Sequence, residues 1–160
     1  MILKRFWRLG LTFGAAVFTL TACAGSNAML DYVGSGGGAL SMVLANHVDR
    51  WAVKVYVDKY WAGIVGPEDG GAAAACCFPG VQDWSKPVTV TWVWDAIKDP
   101  VTKAVTVPEE RHSVQTGFPS GGPHQDPDWH KSDAYLCVIL RGRDSAALEF
   151  SPTRSGCMNK

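Results

Sequence analysis

Hydrophobic and polar positions alternate with period two through much of the chain, the period of half-buried β-strands. The clearest run is Val88-Thr89-Val90-Thr91-Trp92-Val93-Trp94, in which Val88, Val90, Trp92 and Trp94 share one face. Trp51 to Asp58 alternates likewise: Trp51, Val53, Val55 and Val57 fall on one side, Ala52, Lys54, Tyr56 and Asp58 on the other. Asp58-Lys59 can then turn the chain into Tyr60–Val65 as a hairpin partner. With Ala39–Ala45, Ala72–Phe78, Thr102–Val107, Ala134–Leu140 and Ala146–Phe150, the chain offers about seven short strands. Turn residues separate them at Asn46–Arg50, Gly66–Gly71, Pro79-Gly80, Lys98-Asp99-Pro100 and Arg141–Asp144. No helical period competes, so the expected fold is an all-β, antiparallel β-sandwich with Val88–Trp94 at its centre.

The two ends read differently. Lys4, Arg5 and Arg8 precede an apolar run, Leu9 to Thr19, that closes on small residues. This is the layout of a secretory signal over residues 1–22, and the run is too short for a permanent membrane span. Leu20-Thr21-Ala22-Cys23 resembles the lipobox of bacterial lipoproteins. That resemblance implies cleavage behind Ala22 and acylation of Cys23, which would hold the protein to membrane lipid. Residues 23–39, with Gly34-Ser35-Gly36-Gly37-Gly38, have the composition of a flexible tether spanning about 20–25 Å. The sandwich is expected over 40–152 and a frayed tail over 153–160. Gly117 to Lys131, with three prolines and three glycines, reads as one long loop.

Charge excludes one class of partner. The chain carries 15 basic and 15 acidic residues, and three of the basic ones lie in the signal. A mildly acidic mature domain has no basic field for nucleic acid. Export changes the reading of the cysteines, because oxidising conditions favour disulfides among Cys76, Cys77, Cys137 and Cys157. Adjacent cysteines rarely bond each other, so Cys137, inside a strand pattern, is expected to bridge to Cys76 or Cys77. Cys157 sits in the polar tail and is expected to be free or capped.

Candidate chemistry is thin. His124, Asp126, Asp128 and His130 are suitable metal ligands by type, but their spacing matches no compact zinc pattern, so they read as solvated loop residues and no metal is expected. Glu109-Glu110-Arg111-His112 offers acid, base and cation; at a strand end these side chains should alternate outward as a solvated edge. His47, between Asn46 and Asp49, lacks a nucleophile motif and reads as part of a turn. Cys76-Cys77 carries no Cys-x-x-Cys redox spacing. No catalytic group and no cofactor is therefore expected. Seven Trp are present. Trp92 and Trp94 read as core, whereas Trp61, Trp84 and Trp129 lie at loop margins, where a Trp serves well as a partner contact.

Several of these features occur together in one family. The lipobox, Asn46-His47-x-Asp49-Arg50 leading to Val55-x-Val57 and Trp61-x-Gly63, and Gly70-Gly71 with Cys76-Cys77, Trp84, Pro87 and Val88-x-Val90-x-Trp92 resemble small proteobacterial lipoproteins with a domain of unknown function. The resemblance covers residues 40–95; Ala72–Ala75 stands where the family has more glycine before its cysteine pair. Members are often encoded beside phospholipase effectors of the type VI secretion system. The resemblance thus implies an immunity lipoprotein that binds a toxic phospholipase; the alternative expectation is an envelope structural or housekeeping lipoprotein without an effector. Ala24 behind Cys23, in place of Asp, resembles sorting to the periplasmic face of the outer membrane.

Overall fold

The computed structural model describes residues 38–160, apart from 71–73 and 81. The signal, Cys23 and nearly all of the tether therefore lie outside the described residues, as do Gly71 and the first alanines of the Ala72–Phe78 run. Two four-stranded sheets pack face to face as a β-sandwich. The first holds β1 (Leu40–Asn46), β4 (Ala75–Phe78), β9 (Tyr135–Gly142) and β10 (Ser145–Ser151), in the order β10-β9-β1-β4. The second holds β2 (Ala52–Val57), β3 (Tyr60–Val65), β5 (Val88–Trp94) and β8 (Glu110–Thr116), in the order β3-β2-β5-β8. A small ribbon pairs β6 (Ile97–Lys98) with β7 (Val105–Val107), and a short helix, α1 (Arg154–Met158), follows β10. No helix among the described residues is long and apolar enough to cross a membrane.

The pairing of β1 with β9 is parallel; the other strand pairs are antiparallel. These two strands are the interior of the first sheet and are buried on both faces, which is why Leu136 to Leu140 is an unbroken apolar run. Met42, Leu44, Leu136, Val138 and Leu140 face the second sheet. They meet Ala52, Val55, Val57, Val90, Trp92 and Trp94 there. Val43, Ala45, Cys137 and Ile139 point to the other side, where α1 covers them with Cys157.

β5 takes the span and the face its pattern indicates, lying between β2 and β8. β2 departs from simple alternation. Ala52, Val55 and Val57 are buried, while Trp51 lies outside the strand and is exposed. The cause is a bulge: pairing shifts register between Ala52 and Val55, and Lys54 adopts φ +52°. Val53 and Lys54 both turn outward, so the core set moves by one residue. Thr102–Val107 is shorter than expected, reduced to Val105–Val107.

Two further expectations are corrected. The tail is not frayed: Thr153 caps α1 by accepting the Gly156 N–H at 3.1 Å, and Cys157 is fully buried. The disulfide pairing also differs. Cys137 bonds Cys157, with Cα atoms 5.1 Å apart, and Cys76 is paired with Cys77 across a cis peptide. Topology explains the difference. β1 stands between β4 and β9, and Ala75 and Phe78 take the buried positions of β4, leaving Cys76 exposed and Cys77 half-buried.

Candidate functional site

The outer faces of the two sheets are not alike. α1 lies over that of the first sheet and is held there by the Cys137–Cys157 bridge. Among the described residues no element lies over that of the second sheet. Across it runs a register row of four side chains, one from each strand: Trp61, Tyr56, Thr91 and Ser113. A second row sets Val53, Val93 and Arg111 side by side. Trp61 is 52% exposed and Ile64, on the same strand, 48%. Between the rows is a notch of about 280 Å³ lined by Lys54, Tyr56, Thr91, Trp92, Val93 and Arg111. An indole, a phenol and aliphatic carbon interleaved with two cations and two hydroxyls make a surface suited to a partner rather than to bulk water.

The three tryptophans expected to reach outward are placed differently. Trp61 stands on this open face. Trp129 is exposed on a 3-10 turn (Trp129–Lys131), its ring against that of His130 with centroids 3.5 Å apart. Trp84 instead closes one end of the sandwich. Its indole is half-buried edge-on to Phe118 at 4.9 Å and to Phe150 at 5.2 Å. Gly122, at φ +73°, lets the loop pass directly over that ring, where any Cβ would collide with it. Trp51, which simple alternation places on the same side as Val55 and Val57, is 52% exposed beside Pro67, Ile97 and Lys98 at the rim of a separate groove of about 300 Å³.

The acid–base run at Glu109–His112 is a solvated edge in part: it leads into β8, an edge strand, with Glu109 and Arg111 exposed, whereas Glu110 and His112 are half-buried, on the core side, opposite Trp94 and Trp92. The His112 ring stacks on Trp92 with centroids 5.5 Å apart. Its Nδ1 lies 2.6 Å from Asp144 and its Nε2 3.5 Å from Glu110. Arg143 donates to both Glu110 oxygens, and the buried Arg50 reaches Glu110 at 3.2 Å. Arg50 also donates to the carbonyls of Asp95 and Pro108. The hydrogen bonds from Arg143, helped by Arg50, lower the Glu110 carboxyl to a pKa of about 2. Each charge here already has a counter-charge, so the cluster ties together the β1–β2 loop, the ends of β5 and β8, and the β9–β10 turn.

The remaining candidates serve local structure. Asn46 donates to the carbonyls of Arg50 and Gly66, holding the turn in which His47 is exposed. In the long loop, Asp133 accepts the His124 N–H, Asp126 that of Asp128, and Asp128 that of His130. Among the described residues no group of three or more His, Cys, Asp or Glu is arranged to hold a metal. Comparison with protein-family models, with curated proteins and with solved structures finds no match.

Proposed function

We propose that this chain is an exported lipoprotein, anchored through acylated Cys23 at the periplasmic face of the outer membrane, that binds a protein partner on the open face of its second sheet. In its most specific form the partner is a phospholipase effector of the type VI secretion system, and the chain is its immunity protein. The observation that carries the binding reading is the uncovered row through Trp61 and Tyr56, beside a sheet whose opposite number is sealed by a bonded helix. Large, rigid, half-wet aromatics contribute most where an interface excludes water around them. The resemblance over residues 40–95 supports the choice of partner. The reading gives the chain no catalytic role, since the inward acid–base groups of β8 are engaged with Arg50, Arg143 and Asp144.

The test is to co-express the full chain with a phospholipase effector encoded beside it and to measure complex formation and protection of cells against that effector. Trp61→Ala should weaken the complex at least about 30-fold, as loss of a hot-spot residue does, while the protein stays folded. Absence of both complex and protection would remove the phospholipase reading. An unchanged affinity in Trp61→Ala would move the binding surface elsewhere.

A further inference from the structure

We propose that the notch on the open face takes a carboxylate of the partner, so that the surface this protein recognises is an acidic protein surface. The inference rests on the binding reading above and names the chemistry of its partner. The notch is lined by Lys54 of β2 and Arg111 of β8, with Val93 of β5 beside Arg111, Tyr56 and Thr91 in the adjoining row, and no acidic side chain in its wall. Among the described residues neither cation has an ion pair or a side-chain hydrogen bond. Elsewhere the cations are mostly engaged: Arg50 and Arg143 on Glu110, Arg141 and Lys160 on Glu149, Lys86 on Asp83, Lys131 on Asp128. Two cations without counter-charge line one notch from the strands on either side of β5, and a guanidinium and an ammonium are the groups that hold a carboxylate.

The backbone points the same way. Lys54 is held at φ +52°, a conformation that side-chain-bearing residues other than Asn and Asp seldom adopt. With Val55 and Val57 buried, alternation already places Lys54 on the open side of β2; the bulge adds Val53 to that side, and bulges and left-handed residues recur beside functional sites. The nearest acid along the strand, Asp58, is occupied with the Thr89 N–H at 2.8 Å. Apolar Trp61 and Ile64 lie to the β3 side, so the fitting partner presents Asp or Glu beside an apolar side chain.

The experiment uses the full chain, extracted from membranes in neutral detergent, with its backbone amides followed by NMR. The probes are capped hexaglutamate, capped hexalysine and inorganic phosphate. Hexaglutamate should shift the amides of Lys54, Tyr56, Thr91 and Arg111, and hexalysine should not. The double variant Lys54→Glu, Arg111→Glu changes only exposed side chains; it should keep the fold and weaken hexaglutamate at least about tenfold. Shifts centred elsewhere, shifts unchanged in the double variant, or phosphate held in the notch more tightly than the peptide would each overturn the assignment. A phospholipase complex that survives the double charge reversal overturns the notch and leaves the binding reading standing. Hexaglutamate bound in the notch without any phospholipase complex upholds the notch and removes that effector as the partner.

Discussion

Glu110 is the residue on which most of the sandwich's edge converges. It receives Arg143 through both oxygens and Arg50 through one, and His112 stands 3.5 Å away. The two guanidiniums favour its charged form, which is why its pKa falls from the ordinary 4.5 to about 2. A carboxyl whose folded-state pKa is depressed stabilises the fold above its unfolded value and loses that contribution as protons bind. The stabilisation is therefore fully present above pH 4.5 and is lost progressively as the pH falls toward 2. In Glu110→Gln the amide keeps much of the shape and cannot titrate. Denaturant unfolding of this variant should show a weaker dependence on pH across that acid window than the parent, and lower stability at neutral pH. Equal acid sensitivity of the two proteins would mean that other carboxylates govern the transition.

At the scale of elements, the short helix α1 is set by two contacts rather than by its own propensity. Five residues containing a glycine are far below the length at which a helix persists alone. Thr153 supplies the cap, and the Cys157 side chain, fully buried, anchors the helix to β9 over Val43, Ala45 and Ile139. Non-reducing peptide mapping should recover Cys137 linked to Cys157, and Cys157→Ser should lower stability by about 3 kcal/mol, the loop-closure value for a separation of 20 residues. A peptide joining Cys137 to Cys76 or Cys77 would contradict this arrangement. The helix was hidden in the sequence because its signal is a cap and a tertiary bond, neither of which has a period. β8 was hidden for a related reason: Glu110 to Thr116 alternates inward and outward, but Val114 is its only aliphatic residue, so its inward side reads as polar. β5, β9 and β10 were legible because apolar repetition alone defines them. The candidate site was half legible. The alternation puts Tyr56 and Lys54 on one side of β2, opposite Val55 and Val57, whereas Arg111 belongs to a strand the pattern does not reveal, and the bulge that exposes Trp51 leaves no mark in residue type.

At the scale of the whole molecule, the sandwich is one-sided: one outer face is sealed by a bonded helix and the other is open. That asymmetry gives an anchor a purpose. In the proposed reading Cys23 carries the lipid and residues 24–39 link it to Leu40, where β1 begins. On its composition such a link spans about 20–25 Å, somewhat more than the radius of a domain of this size, whose radius of gyration is roughly 13–14 Å. A leash of that reach would keep the domain at the membrane while letting either outer face turn toward the periplasm, so attachment and recognition become separable properties. Cys23→Ser should therefore abolish palmitate labelling and move the protein from the membrane fraction to the soluble one. Its affinity for a partner in solution should stay within about twofold, since Cys23 lies outside the sandwich that carries the open face. Protection of cells should fall more than that affinity does, because a leash concentrates the binder at the surface where a phospholipase acts. If palmitate still entered the Cys23→Ser protein, or if membrane attachment were unchanged, Cys23 would not be the anchor. If affinity fell together with attachment, the open face would not be the whole of the binding site.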